Sequence, residues 1–145
     1  DVLYFPNNGA ASAEQTVIVE NVQANETITI TGIEVMDAPY IRDVELTTDT
    51  NRNGNIDNGD KITVYFSEPV TRLAAPTAGG GISNIAEGAY ASDGRSVEIT
   101  VNSIGAGDGT ITFAHSTFQS ADGMRNIEYV IHWDYSTGNL SVGTR

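Results

Sequence analysis

Apolar and polar residues alternate along much of the chain. The clearest runs are Thr27–Thr31, Lys61–Phe66, Ser96–Val101, Thr110–Phe113 and Ile127–Tyr135. In each run every second residue is apolar, which is typical of a strand with one buried face. Their β-branched and aromatic side chains also favour strands over helices. The pattern therefore predicts an all-β protein.

Shorter segments complete the predicted set of strands. Gln15–Val22, Ile33–Val35 and the more charged Arg42–Thr47 also have strand-like composition, and turns rich in Gly, Asp and Asn separate the runs. Short strands at regular spacing predict an antiparallel β-sandwich. The segment from Thr71 to Gly81 is expected to be a flexible loop, because Pro76 and three successive glycines oppose strand formation.

The N-terminal residues differ from the rest of the chain. Val2–Phe5 is apolar and is followed by Pro6, Asn7, Asn8 and Gly9, which predicts an extended arm over residues 1–12 and a sandwich domain over 13–145. The arm is either an edge strand of the same sheet or a strand that pairs with a neighbouring subunit. The sequence starts at Asp1 without a signal-like segment, and we expect a processed mature protein or an excised piece.

Acidic residues outnumber basic ones by 19 to 7, which gives a net charge of -12. Such a chain repels nucleic acids and anionic membranes and attracts cations, although an acidic surface also serves solubility. No apolar run approaches the roughly 20 residues of a membrane-spanning helix. Cysteine is absent, so disulfides and zinc–thiolate sites are excluded.

One segment, Asp49–Asp60 (DTNRNGNIDNGD), has the spacing of a calcium-binding loop. A twelve-residue calcium loop places oxygen ligands at positions 1, 3, 5, 7, 9 and 12 and a glycine at position 6. Here Gly54 holds the glycine position and Ile56 is expected to anchor the loop to the core. The predicted metal ligands are Asp49, Asn51, Asn53, Asn55, Asp57 and Asp60.

Calcium (Ca²⁺) fits this ligand set better than magnesium, which demands a tight octahedral geometry. Three carboxylates among the ligands predict an affinity suited to calcium-rich extracellular fluid. The alternative is a polar Asn/Gly/Asp loop that only turns the chain. Strand-like residues flank the loop on both sides. We therefore expect a rigid structural site that connects two strands, rather than a calcium sensor that opens a groove.

The loop resembles the calcium loops of EF-hands and dockerins, and still more the D-x-N-x-N-G-x-x-D-x-G-D loops of bacterial surface proteins. The following segment, Lys61–Val70 (KITVYFSEPV), resembles a strand of bacterial Ig-like surface domains, as do the turns at Ser92–Ser96 and Asp122–Asn126. The resemblance covers about residues 44–135 and implies an Ig-like sandwich. Such modules build adhesins, S-layers, enzyme spacers and filaments.

No catalytic motif accompanies this pattern. His115 and His132 have no recognisable nucleophile or metal-binding partner in the sequence, and we expect no enzyme. A carbohydrate-binding module is the main alternative function, with Tyr40 and Tyr90 as candidate exposed aromatic residues. Trp133 is expected to pack in the core together with Tyr129 and Tyr135.

The sequence therefore predicts a calcium-stabilised, extracellular or cell-surface structural protein. We expect a self-assembling subunit of a filament, pilus-like fibre or S-layer that associates through Val2–Phe5. A monomeric adhesin repeat or glycan-binding module is the alternative.

Overall fold

The computed structural model describes residues 38–144, which form eight strands and no helix. The strands are β1 (Ile41–Thr48), β2 (Lys61–Phe66), β3 (Val70–Arg72), β4 (Thr77–Tyr90), β5 (Ser96–Phe113), β6 (Phe118–Ser120), β7 (Tyr129–Trp133) and β8 (Leu140–Thr144). This part of the chain has no helix that could cross a lipid bilayer. The predicted arm at 1–12, with Val2–Phe5, and the strands predicted before residue 38 lie outside the described residues.

Six strands form one antiparallel sheet. Five of them follow the order β1-β2-β5-β7-β8, and β4 pairs with the edge of β5 opposite to β2 and β7. The first half of β5 pairs with β2 and its second half pairs with β7, while β4 pairs with both halves. The strand β5 is therefore shared by two layers that pack face to face, and β1 comes close to β8. A small two-stranded sheet, β3 with β6, completes the fold. The predicted all-β, Ig-like antiparallel sandwich is confirmed.

The buried residues follow the alternation read from the sequence. In β2, Ile62, Val64 and Phe66 are at most 1% exposed, and the residues between them are half-buried. The core cluster joins them to inward-facing residues of the other strands, among them Val97, Ile99, Ile111, Phe113, Ile131 and Trp133. Residues from both layers belong to this one cluster, so a single hydrophobic core holds the sandwich together.

The loop expected over Thr71–Gly81 is wrong at both ends, because Thr71 and Arg72 belong to β3 and Thr77–Gly81 begins β4. The glycines are needed where β4 passes close to β5. A Cβ at Gly81 would collide with the backbone carbonyl of Gly107, and one at Gly80 would collide with that of Asp108. The glycine-rich segment 105–109 is likewise part of β5 and not a turn between two strands. Absence of side chains here allows two backbones to approach each other.

Asn126 holds the connection between β6 and β7 in place. The residue is fully buried, and its Nδ2 donates to the carbonyl oxygens of Ala114 (2.9 Å) and Ile127 (2.6 Å). Its Oδ1 accepts a hydrogen bond from the backbone N–H of Phe118 at 2.8 Å. One side chain thus hydrogen-bonds the backbone at three positions around the turn, a role that suits an amide, which both donates and accepts.

Candidate metal centre

The twelve-residue loop Asp49–Asp60 connects the neighbouring antiparallel strands β1 and β2. The prediction that strands flank the loop on both sides is therefore confirmed. Ile56 is 2% exposed and belongs to the core cluster, as expected for the residue that anchors the loop. The second half of the loop is also tied to β5, because Gly59 N–H donates to the Val101 carbonyl at 2.7 Å and Ile104 N–H donates to Asn58 Oδ1 at 2.8 Å.

The first half of the loop curls around the carboxylate of Asp49. The backbone N–H groups of Asn53 and Gly54 donate to its two oxygens at 3.2 and 2.7 Å. Arg52 and Gly54 both have left-handed backbone angles, with φ of 59° and 77°. Few residues other than glycine adopt such angles, so Gly54 fits the turn without strain whereas Arg52 does not.

The side chains of Asn51, Asn53 and Asp57 converge on one point. Both amide nitrogens donate to the same oxygen, Asp57 Oδ2, at 2.7 Å each. The two amide oxygens accept hydrogen bonds from Asn53 N–H (3.2 Å) and Asn55 N–H (2.7 Å), so each amide would have to turn out of these bonds to present its oxygen at the same point. The predicted ligands at positions 3, 5 and 9 are thus brought together.

Asp60 is fully buried, and its carboxylate is surrounded by neutral donors. Its Oδ1 accepts hydrogen bonds from Thr50 N–H (2.9 Å) and Thr50 Oγ1 (2.7 Å), and its Oδ2 accepts one from Asp57 N–H (2.9 Å). Burial opposes ionisation, but these hydrogen bonds outweigh it and hold the pKa of Asp60 below its ordinary value. Within the described residues, no basic side chain forms an ion pair with it.

The hydrogen bonds also limit how Asp60 and Asn55 could contact a cation. A carboxylate offers about four lone-pair sites, and three of those on Asp60 are used, which leaves room for one further contact through Oδ2. The side-chain oxygen of Asn55 accepts hydrogen bonds from Ile56 N–H and from Trp133 Nε1–H, both at 3.0 Å. Asn55 would therefore contribute its backbone carbonyl, which is the ligand that position 7 supplies in such loops.

The three carboxylates of the loop do not meet as one group. Within residues 38–144, no three side chains of His, Cys, Asp or Glu form a group that could hold a metal ion. A cation in this loop would need amide and carbonyl oxygens as further ligands. Calcium accepts such mixed oxygen ligands, so the residues present fit its donor chemistry.

The two histidines lie apart from the loop. His132 is exposed on β7, between the buried residues Ile131 and Trp133. His115 Nδ1 is 2.8 Å from the hydroxyl of Ser116, whose φ of 64° is left-handed.

The aromatic residues divide between core and surface. Trp133 and Tyr129 are 1% and 8% exposed, as expected, but Tyr135 is 49% exposed and packs edge-on against Trp133. Tyr40 is exposed, whereas Tyr90 stacks on Phe66 and is largely buried. Beside Trp133 lies a polar surface groove of about 250 Å³ lined by residues that include Asp108, His132, Asp134 and Asn139.

Two polar features were not predicted from the sequence, one at the loop and one outside it. The first is the bond from Trp133 to the loop, although a buried indole N–H does signal the need for an acceptor. The second is a polar cluster under β4, where Arg72 Nε lies 2.6 Å from Glu87 Oε2. Glu87 Oε1 and the Tyr90 hydroxyl are both buried and face each other, and neither forms a hydrogen bond of good geometry.

No protein-family model, curated protein or solved structure matches the chain. The resemblances to bacterial Ig-like surface domains and to EF-hand and dockerin loops thus stay hypotheses carried by the motifs.

Proposed function

We propose that this protein is a calcium-stabilised structural module of an extracellular or cell-surface assembly, with Asp49–Asp60 as its calcium site. The observation that carries the proposal is the buried carboxylate of Asp60 at the end of a loop in which the side chains of Asn51, Asn53 and Asp57 converge. Buried charges are usually paired with an opposite charge or bound to a metal, and no basic side chain of the described residues pairs with Asp60.

The three carboxylates of the loop explain why a cation would stabilise the fold. Asp49, Asp57 and Asp60 lie within one short connection between two core strands, so they repel one another when no cation is bound. A calcium ion bound in the loop, with amide and carbonyl oxygens beside the carboxylates, would offset this repulsion. The loop is also bonded to β5 and to Trp133, so the gain would extend beyond the β1–β2 connection.

The experiment is thermal unfolding in 10 mM CaCl₂ and in excess EGTA, with Asp57→Asn as the test variant. Extracellular calcium modules bind with dissociation constants of about 0.1–1 mM, so calcium should stabilise the native chain by about 1.4–2.7 kcal/mol. Asp57→Asn should lose most of this gain. In EGTA the variant should be as stable as the native chain or more stable, because it carries one repelling charge fewer.

The matched control is Asp122→Asn, which makes the same charge change in an exposed turn outside the loop. It should keep the full calcium response. Equal melting temperatures of the native chain in calcium and in EGTA, together with no heat of calcium binding by calorimetry, would contradict the proposed site. Magnesium at the same concentration should stabilise the native chain less than calcium does.

A monomeric glycan-binding module is the second candidate function. The polar groove beside the exposed Tyr135 favours it, because sugar sites combine hydrogen-bonding side chains with an aromatic face. The burial of Trp133 and Tyr129 counts against it, since β7 presents no flat aromatic surface. Binding to immobilised polysaccharides that is lost in Tyr135→Ala would support this function over the structural one.

A further inference from the structure

The candidate calcium loop is joined to the opposite layer of the sandwich by one hydrogen bond. Trp133 Nε1–H in β7 donates to Asn55 Oδ1 at 3.0 Å, although the two residues are 78 positions apart. Trp133 is 1% exposed, so its indole nitrogen has no access to water as an alternative partner. Asn55 is also the residue whose carbonyl is expected to contact the cation.

The turn between β7 and β8, residues 134–139, packs against the loop at Gly54 and Asn55. A Cβ added at Gly138 would lie 3.0 Å from the Gly54 carbonyl oxygen and 3.3 Å from Asn55 Oδ1. The turn is built around Asp134, whose Oδ1 accepts hydrogen bonds from Ser136 N–H (2.8 Å) and Thr137 N–H (3.2 Å). A compact turn therefore rests with its glycine against loop positions 6 and 7.

We propose that cation binding in the loop and docking of the 134–139 turn stabilise each other, with Asn55 and Trp133 as the positioning residues. The inference rests on the proposed calcium site. A cation held by the Asn55 carbonyl fixes this residue, and the fixed side chain then holds Trp133 and leaves space for Gly138. Linkage makes the effect reciprocal, so a change in the turn must alter the affinity of the loop for its cation.

This coupling gives the cation a role beyond the loop. The turn supplies Asp134 and Asn139 to the polar groove and carries the exposed Tyr135. Its order would therefore depend on calcium, and so would the shape of that groove. A surface on one layer is thus controlled by an ion bound between two strands of the other.

The test compares calcium affinities, measured by calorimetry, of the native chain, Gly138→Ala and Gly123→Ala. Both glycines have left-handed angles, with φ of 73° and 83°, so alanine strains the backbone in both variants. Only Gly138 faces the loop, because a Cβ at Gly123 would meet nothing within 4 Å. Gly138→Ala should bind calcium at least about 5-fold more weakly, whereas Gly123→Ala should stay within about 2-fold of the native chain.

A second measurement needs no variant. Trp133 is the only tryptophan, so its fluorescence should change on calcium titration, and hydrogen exchange should slow in residues 134–139 but not in the turn at 121–123. Equal affinities of Gly138→Ala and Gly123→Ala, or unchanged exchange in residues 134–139 while calcium binds, would overturn the coupling alone. A native chain that binds no calcium would overturn the proposed function as well.

Discussion

The acidic side chains of Asp60 and Glu87 are both buried, and their surroundings differ. Asp60 is held by hydrogen bonds from Thr50 and Asp57. Glu87, whose side chain is 6% exposed, is paired through one oxygen with Arg72, while its other oxygen and the Tyr90 hydroxyl face each other without a hydrogen bond of good geometry. An unsatisfied buried polar atom costs free energy. The cluster under β4 is therefore a weak point of the fold.

Tyr90→Phe should remove part of that weakness and make the domain less sensitive to alkali. Burial and the negative charge of Glu87 raise the pKa of Tyr90. Unfolded tyrosine ionises near pH 10, so above this pH the unfolded chain loses a proton that the folded chain keeps. The contribution of Tyr90 to stability is thus present below about pH 10 and is lost as the pH rises further.

The measurement is urea unfolding at pH 7 and at pH 10.5. At pH 7 the variant should match the native chain within about 1 kcal/mol, since the hydroxyl that it loses is poorly hydrogen-bonded. At pH 10.5 it should be the more stable of the two. Tyr65→Phe, whose hydroxyl donates to Glu45 at the surface, should have the smaller effect at high pH. An identical loss of stability between the two pH values in native chain and Tyr90→Phe would refute this account.

At the scale of elements, the close approach of β4 and β5 at Gly80–Gly81 and Gly107–Asp108, called here the crossing, sets the shape of the sandwich. The two strands are paired on both sides of the crossing, and shifts in register separate the paired stretches. At the crossing itself glycines from both strands face each other's backbone. The close approach lets one long hairpin contribute to both layers.

Gly81→Ala should destabilise the domain by at least about 2 kcal/mol, because the new methyl group would overlap the Gly107 carbonyl and force the strands apart. Gly105→Ala is the matched control in the same segment, since its Cβ would be 4.0 Å from the nearest atom. That variant should be neutral or stabilised by up to about 1 kcal/mol through the unfolded chain. Chemical denaturation of both variants gives the comparison, and equal stabilities would show that the crossing tolerates a side chain.

This crossing also shows where sequence reasoning about the fold succeeds and fails. Strands such as Lys61–Phe66 could be predicted because the alternation of apolar and polar side chains shows which face of the strand is buried. Thr77–Gly81 could not be predicted as a strand, because glycine has no side chain to show which face is buried. These glycines are required by the close approach of a backbone carbonyl in another strand, which the sequence does not reveal.

The candidate site also has a part that could be predicted from the sequence and a part that could not. Its predicted ligands lie within twelve successive residues, so their spacing could be read directly from the sequence. The hydrogen bond from Trp133 to Asn55 could not be read, because it depends on how distant strands pack. The lowered pKa of Asp60 likewise follows from donors that only the folded loop assembles.

At the scale of the whole molecule, charge and sheet edges bear on assembly. The net charge of -12 makes copies repel one another, and a divalent cation or added salt weakens this repulsion. Within residues 38–144, β4 pairs only with β5, so no described strand occupies its other edge. The proposed self-association through Val2–Phe5 would use such an edge.

Deleting Asp1–Asn8 should therefore abolish large species while the fold is kept. Light scattering behind size-exclusion chromatography, in millimolar calcium and in excess EGTA, measures the assemblies, and far-ultraviolet circular dichroism checks the fold. Replacing Asn7 and Asn8 by Ser is the control that keeps the apolar segment. Sodium chloride at matched ionic strength separates screening from calcium binding. Polymers that persist without the arm, or a native chain that is monomeric in calcium, would count against self-assembly.

The strand β5 has a mechanical consequence. Because its two halves belong to different layers, the layers are joined by a continuous run of peptide bonds as well as by packed side chains. A pulling force on one layer is therefore transmitted to the other along a covalent path. The layers cannot shear past each other while β5 stays paired, so under load this domain should resist as one body and then yield in a single rupture.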